Sequence, residues 1–285
     1  MLNVKRLTVI ALVLLVVGAI GALFTAQSVT GTAETETIEF RDEVYDDIVI
    51  EADNVQVEVV PATTEGTMIE FIGNTTSDQR YDVQANVKEN RLSVNVEEEW
   101  FKLFNFDFSF SIPTLKVYVP DKAYETIQLD TVNGRVEVRG LEGNEMQITT
   151  DNGRAAAQDL DINELQATTD NGQIELKEIR SNSVTSEADN GEIRMENVEG
   201  ELSGKTANGQ IILKTEHMDR PIDLHTDNGR IQIQTENEPT NATLDANINN
   251  GKITIFGKSN WDTIIGEGEN LIKLTVDNGK ITVKK

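Results

Sequence analysis

The chain has 285 residues, a formal net charge of −24 and a pI of about 4.4. This charge excludes an ordinary nucleic-acid-binding protein, because such a protein neutralises phosphates with Lys and Arg. The sequence contains no cysteine, which excludes disulfides, thiolate metal sites and a cysteine nucleophile.

Residues 1–26 predict a membrane anchor or signal segment. Lys5 and Arg6 precede an uninterrupted apolar run at residues 7–24. A helix of that length rises about 27 Å, close to a bilayer core, and the two cations stay in the cytoplasm. The run predicts one transmembrane helix of a single-pass cell-membrane protein with an extracytoplasmic body. The alternative is a cleaved signal peptide, with residues 31–33 as cleavage site, and a secreted protein.

Residues 27–37 are small and polar and predict a flexible stalk. Residues 38–120 alternate between apolar and polar side chains and predict an N-terminal β region that caps or extends the repeats that follow. Its aromatic segment is either a strand that plugs the apolar end of the repeat or an exposed strip for a membrane or partner. That possible interaction strip consists of Trp100, Phe101, Phe104, Phe106, Phe108 and Phe110.

Residues 121–285 contain the dipeptide Asn-Gly eight times, with spacings of 19, 19, 19, 18, 20, 22 and 28 residues. A period near 20 indicates stacked structural repeats. The repeat turns are Asn133, Gly134, Asn152, Gly153, Asn171, Gly172, Asn190, Gly191, Asn208, Gly209, Asn228, Gly229, Asn250, Gly251, Asn278 and Gly279.

Side chains six residues before each Asn, and three and five after it, are always apolar. Both an all-β solenoid and a stack of β-hairpins would bury these positions. Four residues before the Asn, half of the repeats carry a small residue such as Gly204 or Ser186, which makes room for the opposite wall of a narrow solenoid. We therefore expect β-helix-like coils of about 19 residues, with extended sheets of stacked hairpins as the alternative.

A solenoid would stack the Asn side chains into a ladder of amide hydrogen bonds. Glycine in the left-handed conformation would permit each sharp corner. Lys284 and Lys285 would then protect the edge of the last coil.

The membrane segment, the strand pairs, the block at 104–138 and the tandem coils with the pattern T-x-[DN]-N-G-x-[IV]-x-[IVL] resemble LiaG-type bacterial envelope proteins. These carry a candidate-adhesin β-solenoid domain of unknown function. The resemblance covers residues 38–285 and is most specific at 112–138. It implies an outward-facing, membrane-tethered domain, often linked to envelope-stress operons in Gram-positive bacteria, and it implies no catalytic residues.

Chemistry-bearing patterns are sparse. The two histidines, His217 and His225, have too few companions for a zinc site. No catalytic, cofactor-binding or metal-ligating residue is therefore assigned. Asp precedes Asn-Gly in five repeats, which suits the turn and leaves calcium bridging as the one metal hypothesis. We also expect an ion pair between Arg154 and Asp170 of the next coil. If the protein has a binding site, we expect the longer loops to contribute to it, at 214–222, 234–244 and 256–272.

The function expected is therefore non-enzymatic binding, sensing or structural support in the bacterial cell envelope. The membrane would be contacted through residues 7–24, and the other partner would be an envelope protein or polysaccharide. One alternative is a carbohydrate-active β-helix enzyme acting on wall or capsule polysaccharide. Another is a scaffold that assembles end to end through its solenoid edges.

Overall fold

The computed structural model describes residues 33–74, 79–100, 112–258 and 262–285. The predicted membrane segment at 7–24 lies outside them. Within the described ranges, no helix has the length and apolar character needed to cross a bilayer. The strands are β1 (Ala33–Phe40), β2 (Asp47–Ala52), β3 (Gln56–Pro61), β4 (Thr67–Asn74), β5 (Gln79–Lys88), β6 (Arg91–Trp100), β7 (Thr114–Val119), β8 (Ala123–Arg139), β9 (Glu142–Arg180), β10 (Ser183–Val198), β11 (Glu201–Thr215), β12 (Ile222–Thr235), β13 (Ala242–Ile255), β14 (Asp262–Ile265) and β15 (Asn270–Lys284).

The Asn-Gly repeats form the coils of a solenoid. Each strand from β8 onward that carries an Asn-Gly continues through that corner and pairs in parallel with the next coil. The register places Asn on Asn and Gly on Gly, for example Asn171 beside Asn190. The alternative of stacked hairpins is wrong, because the residues flanking each Asn-Gly pair with neighbouring coils rather than with each other.

The interior follows from the period-2 pattern. Leu165, Ile174 and Leu176 of one coil are at most 2 % exposed, and the equivalent residues of other coils stack above and below them. A Cβ added to Gly204 would lie 2.9 Å from Leu224 Cδ2 and 3.6 Å from Ile211 Cγ2. The coil is therefore as narrow at this point as the small residues of the repeat predicted.

One complete coil precedes the eight that the Asn-Gly count shows. Strands β2 and β3 form it, pairing in parallel with β8, and Asn54 occupies its corner. Val55 stands where later coils have glycine, so this coil has no Asn-Gly dipeptide. The N-terminal β region thus extends the solenoid rather than only covering it.

The N-terminal end of the stack is closed by antiparallel strands. Strands β6 and β7 form an outer coil on β2 and β3, with which they pair in parallel. Strand β5 then pairs with β6, β4 with β7, and β1 with β4, all antiparallel. Residues 33–37 lie in β1, so the predicted flexible stalk at 27–37 is wrong for these five positions.

At the other end, the coils do not stack in sequence order. The last strand, β15, pairs in parallel with β12 on one side and β13 on the other. Strand β13 is the outer coil, and β14 pairs antiparallel with its first four residues. The expectation that Lys284 and Lys285 protect an outer edge is therefore wrong for Lys284, which pairs with Gln234 inside the stack.

The glycines at the corners have a different role from the one predicted. The φ of Gly134, Gly229, Gly251 and Gly279 is between 147° and 159°, at the margin of extended backbone, and the other four corner glycines are not in the left-handed region. A Cβ at Gly172, however, would lie 1.8 Å from the carbonyl oxygen of Gly153. Glycine is required because adjacent coils approach too closely for any side chain.

A column of buried threonines lies immediately inside the same corner. Thr131, Thr150, Thr169, Thr206 and Thr226 are at most 5 % exposed, and none of their hydroxyls has a hydrogen-bond partner in the part of the chain described. Their methyl groups fill the corner, while each buried hydroxyl without a partner lowers the stability of the fold.

Candidate functional site

The Asn side chains form one continuous ladder along the Asn-Gly corner. Each Nδ2 donates to the Oδ1 of its neighbour in eight hydrogen bonds of 2.8–3.1 Å that link nine residues. Asn54 begins the ladder and donates to Glu98 Oε2 at 2.7 Å. The last link runs from Asn250 to Asn278, following the spatial order of the coils. The Asn side chains at this corner satisfy one another's hydrogen-bonding groups, so the Asn-Gly pairs hold adjacent coils together.

A second corner forms a groove along the solenoid axis. Seven residues after the Asn, Asp159, Glu178 and Asn197 adopt left-handed φ values of 54°, 51° and 52°, and Gly140 has a φ of 67°. These stacked turns open a groove of about 560 Å³, which we call the axial groove. It crosses six coils, from Gly140 to Glu236, so it is about 24 Å long at the usual strand spacing.

The walls of the axial groove are polar and mostly acidic. Asn197 Nδ2 donates to Glu178 Oε1 at 2.9 Å, and Arg180 Nη1 lies 3.5 Å from Asp161 Oδ2. Its other acidic lining residues are Glu142, Asp159, Glu199, Glu216 and Glu236. Such a surface offers many acceptors to hydroxyl or amino groups and repels polyanions.

One end of the axial groove contains a buried cation. Arg220 is 8 % exposed, its Nη2 donates to Thr215 Oγ1 at 2.8 Å, and its Nε has no partner among the described residues. Burial lowers the pKa of this guanidinium from its ordinary value, and the nearby Glu199 carboxylate opposes the shift. Residues of the longer loop at 214–222 thus line the groove, and its predicted contribution to binding stays a prediction.

The neighbouring Asp219 fastens this loop to the next one. Its carboxylate accepts from the backbone amides of Thr240 and Asn241 at 2.8 and 2.9 Å, and from Thr240 Oγ1 at 2.8 Å. Burial pushes the pKa of Asp219 up, but these hydrogen bonds outweigh it and hold the pKa below its ordinary value. These hydrogen bonds therefore fix the loop at 214–222 to the loop at 234–244 at the end of the groove.

The other sequence candidates are separated from the axial groove, except His217, which lines it. His225 Nε2 lies 2.7 Å from Asp227 Oδ1 on another face. In the described ranges, no group of three or more His, Asp or Glu side chains is placed to hold a metal ion. The residues described therefore offer no ligand set on which to base calcium bridging of the Asp column.

Arg154 pairs with Glu175, so the predicted pair with Asp170 is wrong. Arg154 and Glu175 project from the same face of adjacent coils, whereas Asp170 lies before the corner. Of the interaction strip, only the backbone of Trp100 is described, as the end of β6, and Phe101 to Phe110 lie outside the described residues.

Sequence reasoning missed the axial groove. Its signal was the 19-residue recurrence of Gly140, Asp159, Glu178 and Asn197, residue types that include frequent occupants of left-handed turns.

Comparison with known proteins identifies the family. The family model described as Toastrack DUF4097 matches residues 45–284. A candidate adhesin from Bacteroides fragilis superposes with a TM-score of 0.51, at 15 % identity, over 89 % of this chain and 98 % of its own. A candidate adhesin from Parabacteroides distasonis gives a TM-score of 0.44, at 12 % identity over 89 % and 98 % of the two chains. A candidate lipid-binding protein from the same species gives 0.38, at 12 % identity over 90 % and 98 %.

None of the curated proteins matches the chain. The matched residues begin just before the first complete coil and end with the last residue of β15. Because the family model covers the coils of the solenoid from the first to the last, the chain belongs to the Toastrack DUF4097 family.

Proposed function

We propose that this protein is a non-enzymatic binding protein of the bacterial cell envelope, held at the outer face of the membrane by residues 7–24. The observation that carries the proposal is the axial groove, an elongated polar channel built on rigid stacked coils. Loops and corners on a rigid scaffold are the usual place for binding residues. Adhesin-like recognition is consistent with the candidate adhesin from Bacteroides fragilis that shares the fold.

The chemistry of the axial groove favours a neutral or amine-bearing polysaccharide. Glu178 and Asn197, which hydrogen-bond to each other, present carboxylate and amide groups on adjacent coils that can also bind hydroxyl or amino groups. The excess of carboxylates repels acidic polymers.

Binding of the full chain to labelled chitosan and chitin oligosaccharides tests this proposal. The variant Asp159→Asn/Glu178→Gln should weaken chitosan binding about tenfold, since two charge contacts are lost. The matched control Asp151→Asn/Asp170→Asn removes the same charge from the Asn-Gly corner and should bind as wild type. Failure of both oligosaccharides to bind, or an equal loss in the control, would sink the assignment. Hydrolysis that one carboxylate substitution abolishes would favour the enzyme alternative.

Anchoring and regulation are tested separately. Full-length protein should fractionate with membranes, and deletion of residues 7–24 should release it. A mature protein that lacks these residues would instead show cleavage and secretion. The resemblance to LiaG-type proteins adds a role in envelope-stress responses, which predicts that its transcript rises when the cell wall is damaged.

A further inference from the structure

We propose that a second surface, on the outer face of β12, β15 and β13, binds a linear polyanion. Arg230, Lys280 and Lys252 each lie two residues after the Asn of their coil. The parallel register places Lys280 between the other two, beside both of them. All three side chains are exposed. We call this row the cationic stripe, and it lies on a different face from the axial groove.

Most cations on the same face of other coils are paired, and Lys177 is the exception in the described ranges. Arg135 Nη1 lies 2.9 Å from the carboxylate of Glu137, two residues further along its strand. The remaining pairs on this face are Lys116–Glu58, Arg139–Glu58, Arg139–Glu137, Arg154–Glu175, Arg194–Glu192 and Lys214–Glu196. Residues 230–234, 252–255 and 280–284 contain no Asp or Glu, so the strand segments that carry the stripe supply no such partner.

The acids before the corner are engaged elsewhere. Asp227 contacts His225 at 2.7 Å, and Asp277 accepts from Asn249 Nδ2 at 2.9 Å. In the described structure no ion pair joins Arg230, Lys280 or Lys252 to any carboxylate. Three like charges at the strand spacing repel one another, and a bound anion would relieve that repulsion.

The electrostatic surroundings permit such a ligand despite the acidity of the chain. Residues 222–285 carry seven Lys and Arg against nine Asp and Glu, a net charge of −2, compared with −24 for the whole protein. At physiological ionic strength the Debye length is about 8 Å, so acids in distant coils are screened at the stripe. A groove of about 430 Å³ lies beside two of the three cations, Arg230 and Lys280, and is also lined by Gln232 and Thr282.

The stripe fits a short run of phosphate or carboxylate groups on an extended polymer. Its three charges span about 10 Å across two strand spacings. Arginine binds both anion types bidentately, and lysine binds them as a point charge. A row one residue wide, flanked by uncharged side chains, suits a linear chain better than a membrane plane.

Fluorescence anisotropy of labelled short-chain polyphosphate and oligogalacturonate with the full chain tests this inference, and the two probes separate the phosphate and carboxylate sources. At least one should bind at ~0.15 M salt and dissociate at ~1 M. Arg230→Gln/Lys252→Gln/Lys280→Gln should weaken that binding about tenfold or more. The control Arg135→Gln/Arg139→Gln/Lys214→Gln makes the same change in net charge with paired cations and should change binding less than about twofold.

A second variant tests the stripe without removing a cation. Gln232→Glu/Thr282→Glu places a carboxylate two residues after Arg230 and Lys280, in the same way that Glu137 follows Arg135. This variant should weaken binding as much as the triple glutamine variant does. Circular dichroism and melting temperature establish that each variant is folded. Equal losses in the control, undiminished binding by the folded triple variant, or binding only to vesicles of anionic phospholipid would each overturn the proposal.

Discussion

Replacing Gly172 by alanine tests whether the corner glycines are required for close stacking of coils. The alanine Cβ would lie 1.8 Å from the carbonyl oxygen of Gly153 and 2.9 Å from its carbon. Real Cβ contacts essentially never fall below 3.0 Å, so the two coils must part by about 1.2 Å at this corner. The neighbouring atoms are backbone and cannot rotate away.

The separation has a calculable effect on stability. It would stretch the Asn171–Asn152 hydrogen bond from 3.1 Å to beyond hydrogen-bond range, together with the flanking backbone pairs. Loss of about three hydrogen bonds at ~1 kcal/mol each, offset by ~0.7 kcal/mol from the stiffer unfolded chain, leaves a destabilisation of about 2 kcal/mol. For a domain of this size the melting temperature should fall by roughly 4–8 °C.

Differential scanning calorimetry with Gly204→Ala as the matched control provides the assay. A Cβ at Gly204 would meet Leu224 Cδ2 at 2.9 Å, the far end of a flexible side chain, so this variant should change stability by less than about 1 kcal/mol. Hydrogen exchange should also accelerate around Gly153 and Gly172. Equal or greater stability of Gly172→Ala would refute the stacking argument.

Three further changes follow from the same packing. Thr169→Val should stabilise the protein by ~1 kcal/mol in urea unfolding, because it removes an unpaired buried hydroxyl at a position where another coil has Val276; destabilisation would show an unseen partner for the hydroxyl. Asn171→Ala should cost about 1–2 kcal/mol, since it removes two ladder hydrogen bonds, and an unchanged melting temperature would contradict this. Asp219, whose pKa is lowered, stabilises above its unfolded pKa of about 3.9 and less as pH falls through the folded value. The stability difference between wild type and Asp219→Asn should therefore shrink on acidification; a constant difference would exclude this linkage.

Local pattern predicted much of the architecture. The 19-residue period, the apolar positions around each Asn-Gly and the small residues four before it were sufficient to predict coils with a narrow aliphatic core. These features depend on which side chains alternate along one strand, and that information is contiguous in the chain. The axial groove was not predicted, because it depends on how corners of six coils align.

The sequence by itself therefore determined the coil, its inside and outside, and the Asn corner, because each depends on residues a few positions apart. Only the tertiary structure decided the order of the last coils, in which β15 lies between β12 and β13. All coils share the same register, so the sequence pattern of one coil allows it to stack on any other coil equally well. The tertiary structure also decided the charge pairing: Arg154 pairs with Glu175 across coils, while Arg230, Lys280 and Lys252 lie side by side with no ion pair among the described residues. Contacts between coils join residues 18 to 50 positions apart, and stacking alone selects them.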